Sequence, residues 1–349
     1  MARVVFFCND TRVNIDTFEY YRQDIESLQA LGHEVVVCTK YREIPMRFDA
    51  MFVWWWTFAL WPVVLCRALG RPCLVTGVYN FRNPPDFKGM DYFRRPRWQR
   101  ALIRAATRFA SLNLFIDEGE LRECAAFFSL TNGRYYPCVV GDAYLQGPAP
   151  ERELALFNLA WSGRENLVRK GIPELLKAVR ILADDGIDVR LYLAGAKGDG
   201  ADELLGWIGE LHLQDRVTAL GPLTRGDKIS RLRRCEVYVQ PSHFEGFGLA
   251  TAEAMGSGAC IITCDVGAVR AVVGESGLYV APGSPEAIAD AVRRVWTDAA
   301  LRRRFQDLAQ ERARTVFAPR LKLERLTRAL AEVGIASGVV RPPGAVDVP

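Results

Sequence analysis

Cys235-Glu236-Val237-Tyr238-Val239-Gln240-Pro241-Ser242-His243-Phe244-Glu245-Gly246-Phe247-Gly248-Leu249-Ala250-Thr251-Ala252-Glu253-Ala254-Met255-Gly256-Ser257-Gly258 is the stretch around which the rest of this chain is read. Residues 235–240 form a short apolar run closed by Pro241 and Ser242, the pattern of a buried strand ending in a turn. Residues 249–255 carry a compact helical pattern, and small residues then lead into a second strand-like run at 259–263. Two glycines and a glutamate therefore sit on a loop at the mouth of a helix, with a second glutamate inside it. The first turn of a helix presents unpaired N–H groups and the positive end of the macrodipole. Glycines 246 and 248 let a phosphate approach those groups closely. Glu253 lies one to two turns in, roughly 8 Å from the helix start. Phosphates at the mouth and a carboxylate at that distance suit a phosphorylated sugar or a nucleotide with free hydroxyls.

Working outward, 349 residues are enough for two ordinary domains. Half the residues are hydrophobic and a quarter charged, which is globular composition. The net charge of +4 is too small to argue for nucleic acid, and none is expected as a partner. Nine cysteines lack paired metal-ligand spacing and read as buried thiols in a reducing compartment. Residues 1–7 read as a first strand and not as a signal peptide.

The first half alternates strand and helix. Strands are expected at 4–8, 35–39, 49–56, 73–78 and 113–116, and helices at 18–31, 58–69 and 119–128, with a polar loop at 9–12 and a further extended run at 135–140. This is a parallel α/β sheet pattern. Residues 51–66 are too short and too interrupted to span a membrane, which takes about 20 apolar residues. Residues 88–108 differ. Arg97, Arg100, Arg104 and Arg108 fall at helical steps, following Arg94 and Arg95, and Leu102, Ile103, Ala106 and Phe109 supply an apolar side. Such a helix is either an ordinary solvated face or a surface that docks on an anionic membrane through Arg94–Arg108. Residues 146–152 read as a linker. Beyond it strands are expected at 154–161, 189–194, 217–220, 235–239 and 259–263, with helices at 172–184, 285–296, 301–316 and 321–333. The expected domains are 1–150 and 151–318. A helix at 319–335 returns to the first lobe, and 336–349 is a loose tail.

Glu245-Gly246-Phe247-Gly248 with Glu253 eight positions on, then Ala254-Met255 and Gly258, resembles the E-x7-E signature of family 4 retaining glycosyltransferases, the glycosyl transferases group 1. Ser162-Gly163-Arg164 followed by Lys170-Gly171-Ile172-Pro173-Glu174-Leu175-Leu176 is similar to that family's "GR…KG…LL" segment. Leu193-Ala194-Gly195 and Leu220-Gly221-Pro222-Leu223 match the loops where the family places its nucleotide base. The resemblance is specific over about residues 155–282 and architectural before that. It implies an α/β fold of the GT-B type, two Rossmann-like α/β/α lobes facing across a cleft, with 1–150 binding the acceptor and 151–318 a nucleotide sugar.

By that resemblance Glu245, Arg164 and Lys170 are the catalytic candidates, with Glu245 on the hydroxyls of the transferred sugar. Glu253 would hold the ribose. Gly246, Phe247, Gly248, Leu249, Gly163, Gly195, Gly221, Pro222 and Leu223 complete the donor site. No metal or other cofactor is expected: the chain lacks an Asp-x-Asp motif, and Arg164, Lys170 and the amides of Phe247, Gly248 and Leu249 can meet charge that grows on a leaving diphosphate. Retention in this family is ascribed to front-face attack, with no protein nucleophile.

The chain departs from the family in the loop after its first strand, Asn9-Asp10-Thr11-Arg12-Val13-Asn14, which has no glycine. Candidate first-lobe contacts are Asn9, Arg12, Asn80, Arg82, Asn83 and Asp117, at the C-terminal ends of parallel strands where open α/β sheets bind ligands. Trp54-Trp55-Trp56 and Trp61, with the basic helix, suggest a glycan or lipid-linked acceptor and work in the cytoplasm or at the inner face of the membrane. The sequence also admits a sugar-nucleotide epimerase of the same fold, or a catalytically silent subunit that binds glycan or nucleotide.

Overall fold

The computed structural model describes residues 1–83, 91–146 and 151–336. Residues 147–150 of the expected linker, 337–349 of the expected tail, and Lys88 lie outside the described residues. Among the described residues, 1–83, 91–139 and 319–336 form one compact unit, and 140–146 with 151–318 form the other.

The first unit holds a six-stranded sheet: β1 (Arg3–Cys8), β2 (Glu34–Cys38), β3 (Ala50–Trp54), β4 (Cys73–Gly77), β5 (Leu112–Phe115) and β6 (Gly133–Tyr135). Its order is β2-β1-β3-β4-β5-β6, and all pairs are parallel. β3, β4 and β5 are buried at every residue. A parallel sheet covered by helices on both faces requires such continuous apolar runs. The side-chain period of two sorts them: Val5, Phe7, Met51, Val53 and Val75 pack on one face, and Val4, Phe6, Ala50, Phe52 and Leu74 on the other.

The second unit repeats the plan with β7 (Glu153–Leu159), β8 (Leu191–Ala194), β9 (Val217–Gly221), β10 (Cys235–Gln240), β11 (Cys260–Cys264) and β12 (Gly277–Val280). The order is β12-β11-β10-β7-β8-β9, again all parallel. β12 is an added edge strand with no counterpart in the sequence reading. The chain enters this unit at Val140 and not near 150. Val140 and Leu145 lie against Gly256, where an added Cβ would stand 2.5 Å and 3.1 Å from their side chains.

Two segments differ from expectation in the first unit. The loop at 9–12 is shorter, because Thr11 caps a helix at Arg12–Thr17 and its Oγ1 accepts from the Asn14 amide at 3.1 Å. The extended run at 135–140 forms a ladder only at Gly133–Tyr135.

The Pro319–Glu332 helix packs in the first unit, with Leu323, Leu326 and Leu330 joining the cluster of Val4, Phe6 and Phe52. A buried ion pair fixes it there. Lys322 Nζ lies 2.8 Å from Asp24 Oδ1, and both side chains are buried. Asp24 also accepts from Trp54 Nε1 at 2.8 Å and from the Tyr136 hydroxyl at 2.9 Å. The Lys322 ammonium stands 4.0 Å from the centre of the Tyr136 ring. Removing one member of a buried pair strands the other charge. Lys322→Met alone is therefore expected to lower unfolding free energy by about 3–5 kcal/mol in a urea titration, with Asp24→Leu added to it restoring much of the loss. A cost under about 1 kcal/mol for the single change would show that the pair does not hold this helix.

Candidate active site

In an open α/β sheet the ligand crevice lies beyond the strand C-termini where the strand order reverses. In the second unit that point lies between β7 and β10, from which the chain runs outward to β9 on one side and β12 on the other. The loops leaving these two strands carry residues 160–171 and 241–248, so the topology itself delivers the two motif segments to one place. They meet in backbone as well. The His243 amide donates to the Arg169 carbonyl at 2.8 Å. Gly171 sits at φ 68°, where an added Cβ would be 2.1 Å from the Pro241 carbonyl oxygen, so only glycine fits.

Lys170 Nζ donates to Glu245 Oε1 at 2.5 Å. The Ser242 hydroxyl donates to the same oxygen at 2.8 Å, and Arg169 Nη1 stands 3.7 Å from Oε2. Behind Ser242 runs a buried chain: Tyr238 hydroxyl to Gln240 Oε1 at 2.7 Å, then Gln240 Nε2 to Ser242 Oγ at 3.0 Å. Glu245 is only 6% exposed. Burial pushes its carboxyl up, but the Lys170 ammonium, the Arg169 guanidinium and the two hydrogen bonds outweigh it and hold Glu245 below the usual carboxylate range. Burial pulls the Lys170 ammonium down, with Glu245 opposing. Glu245 is thus an ionised acceptor at neutral pH, with Oε1 hydrogen-bonded twice and Oε2 facing the Arg169 guanidinium beyond hydrogen-bond distance.

The helix expected at the loop's end spans Leu249–Gly256. Gly248 precedes it at φ 86°. Phe247 turns its ring into the core, 5.7 Å edge-on from Phe317, and leaves only its backbone to the loop. Thr251, fully buried in the first turn, has an Oγ1 with no hydrogen-bond partner among the described residues. Glu253 is 3% exposed and receives Lys228 Nζ at 2.9 Å and 3.1 Å on its two oxygens. Lys228 comes from the Arg225–Arg234 helix, whose first turn Thr224 caps by accepting from the Asp227 amide at 3.1 Å. A pocket of about 190 Å³ opens beyond β7, β8 and β9. Ser162, Leu193, Gly195, Lys197, Gly221 and Pro222 are among its lining residues.

The family model described as glycosyl transferases group 1 matches residues 162–312. The matched residues all lie in the second unit. A D-inositol 3-phosphate glycosyltransferase of Corynebacterium glutamicum is 35% identical over 153 residues, 42% of this chain and 37% of that protein. A phosphatidyl-myo-inositol mannosyltransferase of Mycobacterium tuberculosis is 35% identical over 183 residues, 50% of this chain and 46% of that protein. The chain thus spans less than half the length of these curated relatives. Among solved structures, sucrose-phosphate synthase from Thermosynechococcus elongatus aligns with TM-score 0.74 at 20% identity, covering 95% of this chain and 98% of that one. Anabaena HepE in complex with UDP aligns with TM-score 0.76 at 15% identity, covering 94% and 99%. At these identities the likeness is one of fold, and it places both α/β units in the expected GT-B class.

Within the matched region the structure brings Lys170 to Glu245 but not Arg164. The Arg164 guanidinium is exposed and pairs with Glu203 at 2.7 Å, while its amide donates to Asp199. Arg169 takes the place near Glu245. The two arginines lie five residues apart on the short Arg164–Arg169 helix, about 140° around its axis, so one helix orientation cannot aim both at one carboxylate. Gly163 is the buried N-cap of that helix. Leu223 is half-buried beside the pocket and is not among its lining residues, whereas Gly195, Gly221 and Pro222 are. Lys228 and Ser242 escaped the sequence reading. A lysine on a polar surface-type helix and a serine in a turn carry no signal until the fold sets them beside a carboxylate.

The first-unit candidates are dispersed. Asn9 is exposed just past β1, and Arg12 is paired with Asp16 at 3.2 Å. Asp117 caps the Glu118–Phe128 helix, accepting from the amides of Gly119 and Glu120 at 3.1 Å each. Trp54 and Trp56 are core residues, Trp61 is exposed, and Trp55 is half-buried at φ 77° with Nε1 donating to the Tyr21 hydroxyl at 2.8 Å. Asn80, Arg82 and Asn83 follow β4 on a loop held by Glu120, which accepts from the amides of Tyr79 and Phe81 at 2.9 Å and 3.0 Å. Asn80 is left-handed at φ 53°, the Arg82 guanidinium lies 5.3 Å from the Phe93 ring centre, and Asn83 is buried.

Two outcomes follow from these contacts. Lys228→Met removes both Nζ contacts to Glu253 and is expected to cost about 1–3 kcal/mol in urea unfolding; an unchanged midpoint would show that the contact carries no stability. Burial pushes Glu120 up to about 7, despite its backbone donors. A folded value above the unfolded one of about 4.3 means the native state holds the extra proton between them. Stability from this group is full below that lower value and is lost as pH rises to about 7. Glu120→Gln should flatten that loss when unfolding is measured at pH values across the window; an unaltered slope would refute the assignment.

Proposed function

We propose that this chain is a retaining, metal-independent glycosyltransferase. It moves a sugar from a nucleotide-diphosphate sugar to a glycan or lipid-linked acceptor, in the synthesis of a cell-surface polysaccharide or glycoconjugate. It works in the cytoplasm, at the inner face of the membrane. The observation that carries the reading is the pairing of two buried carboxylates with separate lysines, Glu245 with Lys170 on the loop before the Leu249–Gly256 helix and Glu253 with Lys228 inside it, 2.5 Å and 2.9 Å apart.

The roles follow from charge and position. Glu245 accepts from hydroxyls of the transferred sugar, and Glu253 from those of the ribose. Lys170, Arg169 and the amides of Phe247, Gly248 and Leu249 stand where the leaving diphosphate gains charge. Arg164 joins them by leaving Glu203, an exposed pair worth under about 1 kcal/mol. The apolar pocket at Gly195 and Gly221 takes the base. As the bond from the sugar to the diphosphate breaks, the acceptor oxygen bonds to the same carbon from the same face, and its proton passes to the departing phosphate oxygen. No side-chain nucleophile is needed. The UDP in the HepE structure and the lipid named in the mycobacterial relative support a nucleotide-sugar donor and a lipid-linked acceptor.

The test is thermal unfolding of the whole chain with UDP-, GDP- and ADP-sugars, followed by turnover with and without acceptor. One donor class should raise the midpoint, since a ligand at about 100 times its Kd adds about 2.7 kcal/mol. Glu245→Gln should keep that shift and lose turnover by about 100-fold or more. EDTA should leave turnover intact. No shift with any donor overturns the reading, conversion of donor without acceptor points to an epimerase, and a strict metal requirement removes the role given to the cations.

A further inference from the structure

The basic helix of the first unit spans Arg97–Phe109. Its apolar residues do not form one side. Ile103 and Ala106 are buried in the core, whereas Leu102 and Phe109 are exposed and align with Trp98, which is 62% exposed. At about 100° per residue, Trp98, Leu102, Ala105 and Phe109 span about 60° of the circumference, and Arg97, Arg100, Arg104 and Arg108 span about 80° centred roughly 125° away. The helix is therefore three-faced: core, exposed apolar stripe, arginines. It contains no carboxylate, and among the described residues Arg97, Arg104 and Arg108 form no ion pair.

The neighbouring Leu60–Ala68 helix adds exposed apolar residues of its own. Trp61 and Val64 are 48% and 51% exposed, and the Arg67 guanidinium lies 5.4 Å from the Phe109 ring centre, bridging the two helices. Scattered apolar residues on a surface need no explanation, but a contiguous aromatic and aliphatic stripe bordered by cations does.

We infer that this face inserts into the headgroup and acyl boundary of an anionic bilayer, with Trp98, Leu102, Phe109, Trp61 and Val64 below the surface. The inference rests on the reading of the chain as a membrane-face protein, and is independent of its chemistry. Interfacial helices bury an apolar face about 5–10 Å deep while basic residues stay at the headgroups. Tryptophan suits that depth, having an apolar body and one donor. Arginine stems lie along the apolar surface while their heads reach phosphate. Among the described residues no helix is long and apolar enough to cross a membrane. Charge complementarity favours lipid over a second copy, because a two-fold contact through this face would set the unpaired arginines of both copies against each other.

The experiment is flotation of the whole chain with vesicles of phosphatidylglycerol and phosphatidylcholine, against phosphatidylcholine alone, at low and high salt. Anionic vesicles should bind the protein, and part of the binding should survive high salt, which screens charge but not insertion. Leu102→Asp with Phe109→Asp should weaken binding about tenfold or more. Brominated lipid should quench fluorescence in the wild type and less in Trp98→Phe. Thermal unfolding checks that each variant folds, and Leu102→Ser with Phe109→Ser replaces the aspartates if they do not. Binding that high salt abolishes and the aspartates leave unchanged overturns insertion while leaving electrostatic docking. No binding to anionic vesicles overturns both, without touching the donor-binding result. Self-association that the aspartates abolish, with no vesicle binding, assigns the face to a second copy and also overturns the inference.

Discussion

The contact between the Lys170 ammonium and the Glu245 carboxylate, 2.5 Å long and nearly out of solvent, sets the terms for the whole second unit. Neither charge is tolerable alone at that depth. The two residues come from loops 75 positions apart in sequence, so the pair exists only if β7 and β10 lie side by side. Gly171 and Pro241 have to approach within a distance that no Cβ allows. The Tyr238–Gln240–Ser242 chain then spends the remaining hydrogen-bonding capacity of the turn on the same carboxylate. What results is a preorganised acceptor flanked by cations at the reversal point of a parallel sheet.

The first unit depends on a similar economy in a different place. Asp24 and Lys322 are buried together, and Trp54 and Tyr136 supply the donors that complete the carboxylate. The pair ties the Pro319–Glu332 helix to a sheet formed entirely by residues 3–135. In the same unit the polar groups at the strand ends are used locally. Asp117 is a cap, Glu120 props a loop, and Arg12 pairs along its own helix. They are dispersed, whereas those of the second unit converge.

Much of the site was legible in the sequence because its parts are local. A glycine loop before a helix, a glutamate one to two turns in, and a lysine before a glycine after a first strand are short-range patterns, and the Ile172–Asp184 helix and the β10 strand stand where periodicity put them. Arg169 was missed because Arg164 and Arg169 are chemically equal and only the orientation of a six-residue helix separates them. Lys228 and Ser242 were missed because their partners are chosen by packing.

The basic helix shows the same division most plainly. Its sequence established the helix, its arginine spacing and its amphipathic character, since these follow from a 3.6-residue period and side-chain chemistry. It could not say which apolar residues would be covered. Only the sheet beneath decided that Ile103 and Ala106 go inward while Trp98, Leu102 and Phe109 remain outside. Local order follows from each residue's own backbone and side chain, but burial depends on what else arrives at the same place, and that is a property of the folded chain.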